Sequence, residues 1–248
     1  MTASANEKLT SKRGLGGAVP PLQGIFEISA TQKADLGFRL RVGDRTFHYG
    51  YAGGVALIAG SLLESATLVA EEGKSPSADV AAGATTLTVT TAAAQSTCAE
   101  GYMFVHEGAG EGHAYRIKQA TANATTATST DLVLYDPIVV AMTNAASQVA
   151  IMNNLYYDLD IHATITKYVV GVAPMAVTAN YYFWCQTWGP ASVLQSGVVT
   201  DAAGSILVPH TTDGSVTIQT AYTSNVVGVQ LYTGTAAEHQ PVYLRIAP

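Results

Sequence analysis

Apolar and polar residues alternate along this chain with a period of two, in short runs broken by turn residues, far more than they recur at helical spacing. Ile25, Phe26 and Ile28 open the pattern, and Phe38, Leu40 and Val42 continue it. Gly43-Asp44 then supplies a turn before an aromatic strand from Thr46 to Tyr51. The segment from Val55 to Glu72 could support a helix by its apolar positions. Gly53, Gly54 and Gly60 weaken that reading, because glycine is costly in a helix interior, and strands are expected instead.

Residues 75–153 differ in character and read as a small β-domain inserted into a larger one made of residues 25–74 and 154–248. Leu87 and Val89 alternate with threonines between Thr85 and Thr91. Tyr102 to Glu107 and His113 to Lys118 flank Gly108-Ala109-Gly110-Glu111-Gly112, where three glycines permit a tight reversal, so a hairpin is expected. Leu132 to Tyr135 forms a further strand that Pro137 ends. From Asn154 the pattern predicts strands over 159–165, 168–172, 181–188, 192–195, 205–208, 216–222, 226–231 and 242–246. Strands at that spacing suit a sandwich or a barrel. An echo between Gly53–Gly60 and Gly189–Gly197, each after an aromatic strand, suggests duplicated β units.

Ahead of this pattern, residues 1–24 read as an extended arm. They are polar and carry Gly14, Gly16 and Gly17 before Pro20-Pro21, which favours a polyproline-like backbone. Two readings stand for the arm: a disordered tail, or a segment that orders on a neighbouring subunit with Lys8, Lys12 and Arg13 facing an acidic surface.

Composition sharpens the class. Only 12% of the 248 residues are charged, about half the usual share, while hydrophobic residues reach 48% and glycine 23 residues. A surface so poor in charge implies a partner for part of it. The formal charge of −6 argues against a protein that coats nucleic acid, which needs a cationic footprint. No apolar run approaches the ~20 residues that span a bilayer, and no apolar stretch follows the basic N-terminal residues as in a secretory signal. A chain made in a cytosol and soluble there is expected. Cys98 and Cys185 stand in no CxxC spacing; they could pair, although buried free thiols are the simpler expectation.

Chemistry-bearing constellations are sparse. His106, Glu107, Glu111 and His113 surround the glycine-rich turn, but their spacing matches no established zinc pattern and a solvated turn collects such residues anyway. Asp158 and Asp160 are expected on one strand face with Tyr156, a placement that suits an exposed edge better than the opposed carboxylates of a glycosidase. Neither a Gly-x-Ser-x-Gly elbow nor a His-Glu-x-x-His motif occurs, and the histidines are scattered. No enzymatic activity, metal or cofactor is expected. The aromatic run Tyr181-Tyr182-Phe183-Trp184 with Trp188 is more informative. Alternation places Tyr182, Trp184 and Trp188 on one face, where they could fill a core or a subunit interface, or stack on sugars.

Two stretches then carry a resemblance. Gly110-Glu111-Gly112-His113-Ala114-Tyr115-Arg116-Ile117, followed by Leu132-Val133-Leu134-Tyr135-Asp136-Pro137 and Asn153-Asn154-Leu155-Tyr156, is one. Trp184-Cys185-Gln186-Thr187-Trp188-Gly189-Pro190-Ala191, with Gly214-Ser215-Val216, Val227-Gly228 and Val242-Tyr243-Leu244-Arg245-Ile246, is the other. Together with Asp44-Arg45-Thr46-Phe47-His48-Tyr49 they resemble the auxiliary head proteins of tailed bacteriophages, called decoration or cement proteins. The resemblance implies a viral structural protein on the outside of the capsid shell, bound to the major capsid protein and to further copies of itself, often as a trimer. A host-glycan-binding module of a head or tail fibre is the alternative.

Overall fold

The computed structural model describes residues 23–65, 71–91, 97–126, 128–144, 146–163, 167–197, 202–211, 214–220 and 225–248. The arm over residues 1–24 therefore lies almost wholly outside the described residues, as do Lys8, Lys12, Arg13, Pro20 and Pro21.

The chain is all-β, with no helix among the described residues. Its strands in chain order are β1 (Arg39–Val42), β2 (Arg45–Tyr51), β3 (Leu62–Glu64), β4 (Glu71–Lys74), β5 (Thr86–Val89), β6 (Tyr102–Glu107), β7 (Ala114–Ala122) and β8 (Thr130–Leu134). There follow β9 (Gln148–Met152), β10 (Asp160–Ile161), β11 (Val169–Val172), β12 (Tyr182–Leu194), β13 (Ile206–Pro209), β14 (Val216–Ile218), β15 (Gly228–Gln230) and β16 (His239–Arg245). The described residues form two compact units, one within residues 1–66 and 156–248 and the other within residues 67–155. Glu71–Lys74, which the sequence pattern groups with the first region, pairs with β9 in the second unit.

The second unit is a small antiparallel barrel. Its sheet runs β4-β9-β6-β7-β8-β5, and the ring closes just past β4. There Pro76 bridges Val89, the Ser77 N–H donates to the Thr88 carbonyl at 2.8 Å, and the Thr90 N–H donates to the Ser75 carbonyl at 3.1 Å. Closure leaves few unpaired strand edges. Leu87, Val89, Met103, Val105, Tyr115, Ile117, Leu132, Leu134, Val149 and Ile151 point inward as one core. The period-two pattern breaks at bulges beside His106 in β6 and Lys118 in β7, and inward alternation resumes at Ala120.

The first unit is built on a ten-stranded sheet, β10-β3-β11-β12-β16-β15-β13-β14, with β2 paired to β12 and β1 to β2. One core cluster gathers Leu62, Val172, Val193, Leu207, Val216, Val227, Val242 and Leu244. Another gathers Ala34, Phe47, Tyr49 and Trp184. The central strand corrects the sequence reading. Instead of strands over 181–188 and 192–195, β12 runs 13 residues straight through Gly189-Pro190. Gly189, at φ 86°, lets the strand pass close to the Asp44 backbone. The echo is not structural, because Gly53–Gly60 forms a loop joined to its neighbours by isolated bridges at Ala52 and Leu57.

Candidate interaction surface

The aromatic run of β12 is divided between the two faces of its sheet. Trp184 is 1% exposed and belongs to the core. Its indole N–H donates to the Gln23 carbonyl at 2.9 Å, and its ring meets Tyr49 edge-on at 4.9 Å. Gln23 is itself a hub. Its side-chain amide donates to the carbonyls of Glu27 and Tyr182 at 2.7 and 3.0 Å, and its Oε1 accepts from the Tyr49 hydroxyl at 2.7 Å. Tyr182 is half-buried, stacked on Tyr49 at 5.9 Å and tilted against Tyr51 at 4.7 Å. Of the readings open for Trp184, the structure takes the core, which leaves it no partner-facing surface: alternation defines which residues share a face, not which face turns inward.

Trp188 departs further from the expected pattern. Cα partners run Tyr182↔Tyr51, Trp184↔Tyr49 and Gln186↔Phe47, and then Trp188↔Thr46, so Thr187 is an extra residue. The slip turns Trp188 to the face opposite Trp184. Thr187 is tied down where it bulges: its hydroxyl donates to the Ala247 carbonyl at 2.7 Å, and its own carbonyl accepts from the Ile246 N–H at 3.1 Å.

On that opposite face Trp188 meets Tyr243 in a T-shaped contact, centroids 6.0 Å apart. Tyr243 belongs to a continuous cross-strand row, Pro190–Tyr243–Val229–Ile206, that spans β12, β16, β15 and β13. The alternate residues Ala191, Val242, Leu244 and Leu207 belong to the core cluster, so the row lies on the sheet's outer side. Pro190, Val229, Tyr243 and Trp188 are half-buried, and Ile206 is 45% exposed. Leu231, 42% exposed, and Pro241 extend the patch, and Arg245, opposite Trp188, brings a charge to its border. An open groove of about 610 Å³ shares Pro190 and Pro241 and is bordered by Phe26, Pro174 and His239. An apolar face of this kind gains free energy by burial against a complementary surface.

The other candidates are not brought together in this way. Gly108, Gly110 and Gly112 all have positive φ, which forms the expected hairpin turn and leaves Glu107 and Glu111 exposed. His113 Nδ1 lies 3.3 Å from the Tyr115 hydroxyl, and no group of three His, Cys, Asp or Glu is placed to hold a metal among the described residues. Asp158 sits outside any strand at φ 57°, so it does not share a strand face with Asp160; Asp160 lies opposite Glu64, and Tyr156 stacks on His48 at 4.9 Å. Burial, and then the charge of Arg39, push His48 down to about 4. Burial likewise lowers His162. Cys98 and Cys185 are free and buried; burial raises both thiols, Cys185 to about 12.

No family model, curated protein or solved structure matches the chain.

Proposed function

We propose that this chain is a structural protein of a tailed-phage head, one that binds the outside of the assembled capsid shell and stabilises it by bridging capsomers. The observation that carries the reading is the apolar row Pro190–Tyr243–Val229–Ile206 with Trp188, on the outer side of the sheet. Adhesion needs no turnover chemistry. It needs a flat apolar surface held on a stiff frame, a total contact above about 1,000 Å², and repetition over a lattice that multiplies modest affinities. The major capsid protein is the proposed partner, with further copies of the chain in a homo-oligomer, a trimer by the resemblance. In the same proposal residues 1–24 act as an arm that reaches along the shell or onto a neighbouring copy, with Lys8, Lys12 and Arg13 as its charged contacts.

Co-sedimentation with bare and expanded capsid shells tests the reading. The wild-type chain is expected to pellet with shells, and Tyr243→Asp combined with Ile206→Asp to stay in the supernatant while melting cooperatively. Wild-type protein that never pellets with shells, or a double variant that pellets unchanged, overturns it. The half-buried Trp188 ring beside Arg245 also keeps the glycan-binding alternative in play. A glycan array with Trp188→Ala separates the two: saccharide binding that the substitution abolishes favours recognition of a host.

A further inference from the structure

The groove beside Pro190 and Pro241 is also lined by Phe26, Val172 and Pro174, and Phe26 is 58% exposed. The polar side chains along it are largely occupied within the fold. Gln186 Nε2 donates to the carbonyls of Trp188 and Pro190 at 3.1 and 2.7 Å, His239 Nε2 lies 2.9 Å from the Ala59 carbonyl oxygen, and Arg45 lies over the Phe47 ring. An occupant therefore needs apolar surface and no charge. Residues 24–27 form a turn closed by the Glu27 N–H to the Gly24 carbonyl at 3.1 Å and by the Gly24 N–H to the Glu27 carboxylate at 2.8 Å. The Gln23 side-chain amide donates to the Glu27 carbonyl at 2.7 Å across the same turn. The 22 residues ahead of Gln23, outside the described residues, thus join the fold beside Phe26. They divide by composition. Glu7, Lys8, Lys12 and Arg13 all precede Gly14, whereas Leu15-Gly16-Gly17-Ala18-Val19-Pro20-Pro21-Leu22 carries no charge.

We infer that residues 15–22 of the free chain occupy this groove of their own first unit, covering Phe26 and the groove prolines. Length, stiffness and tether select this occupant. From Gln186 to Ser192 the groove follows β12 for roughly 20 Å at the rise of a strand. Eight residues in a polyproline-like backbone reach roughly 25 Å. Pro20 and Pro21 already fix φ, so the segment loses less conformational freedom on docking than an ordinary one. A tether of a few residues sets an effective concentration on the order of millimolar, so a contact too weak to hold a free peptide is still made within the chain. The same segment of another copy, at roughly micromolar concentration, competes poorly. The shell reading places its charged contacts at Lys8, Lys12 and Arg13, further out along the arm. The groove contact is made by the uncharged residues in the free chain, so it stands or fails without a shell.

Disulfide trapping in the full chain tests it. Cys98 and Cys185 are buried, so introduced cysteines report alone. Val19→Cys is combined with Ser192→Cys or Ala59→Cys in the groove, and with Ala202→Cys at an exposed site outside it as the control. Under mild copper–phenanthroline oxidation, both groove pairs are expected to close within one chain at least about tenfold faster than the control pair. Adding Phe26→Asp should bring them down to the control rate. Groove pairs that close no faster than the control, that link two chains instead of one, or that ignore Phe26→Asp overturn the inference.

Discussion

Trp184 and Gln23 stand 161 residues apart in sequence and are joined by a 2.9 Å hydrogen bond from the buried indole N–H to the Gln23 carbonyl. The bond fixes the start of the described chain onto the central strand of the first unit, where the Gln23 side chain also binds Tyr49 and Tyr182. Trp184→Phe removes the donor, strands a buried carbonyl and leaves a cavity; a loss of about 2–3 kcal/mol is expected, and about 3–5 for Trp184→Ala. Urea titration followed by far-UV circular dichroism measures both. A Trp184 variant that binds shells or glycans poorly while keeping wild-type stability would contradict its placement in the core.

Much of this fold was legible in the chain because alternation and glycine spacing are local signals. The hairpin at Tyr102–Glu107 formed as its three turn glycines demand, and β6 ends where the pattern ends. What the sequence hid was non-local. Barrel closure through Ser75, Pro76 and Ser77 has no apolar signature, because it rests on main-chain bonds to β5. The bulge at Thr187 is invisible to a period-two count, yet it decides that Trp188 and Trp184 face opposite ways. The outer row did leave a trace. Ile206-Leu207-Val208-Pro209 is apolar at both parities, as a strand covered on both faces is. Asp158 escaped because a left-handed residue breaks alternation without a glycine to mark it.

Gly189 should prove the least replaceable residue of β12. It sits at φ 86°, and a Cβ there would lie 2.5 Å from the Asp44 carbonyl oxygen, a backbone atom that cannot step aside. Gly189→Ala is expected to cost about 2–4 kcal/mol, from the left-handed backbone and from loss of pairing around the bulge. Gly54, exposed and with nothing within 4 Å of its added Cβ, is the control: Gly54→Ala should stay within about 0.5 kcal/mol of wild type. Urea midpoints of the two variants, measured side by side, decide the matter.

The two thiols should be silent in the folded protein. Cys98 and Cys185 are both fully buried, burial raises both, and the Cys185 S–H donates to the His48 carbonyl at 3.3 Å. Since the thiolate is the reactive form, neither should react appreciably with a chromogenic disulfide reagent at pH 8, while urea should release two equivalents per chain. Prompt native labelling of either cysteine would contradict its burial.

Acid should loosen the first unit through His48. The ring stacks on Tyr156, and its Nδ1 lies 3.1 Å from the Thr187 hydroxyl; burial and Arg39 hold its pKa near 4, below the ordinary 6.5. The unfolded chain therefore binds a proton between about pH 6.5 and 4 that the folded chain refuses, so stability rises with pH across that window. The contribution is fully present above pH 6.5 and is lost as pH falls towards 4. In full the depression corresponds to about 3 kcal/mol, and to about 2 once the ring's partial contact with water is discounted. His162, Glu71 and Asp131 are lowered as well and act in the same direction, so the informative quantity is a difference. His48→Phe keeps the stack on Tyr156 but cannot titrate, and its stability should fall about 2 kcal/mol less than that of wild type between pH 7 and pH 4. Parallel pH profiles for the two proteins would show that His48 does not sense acid.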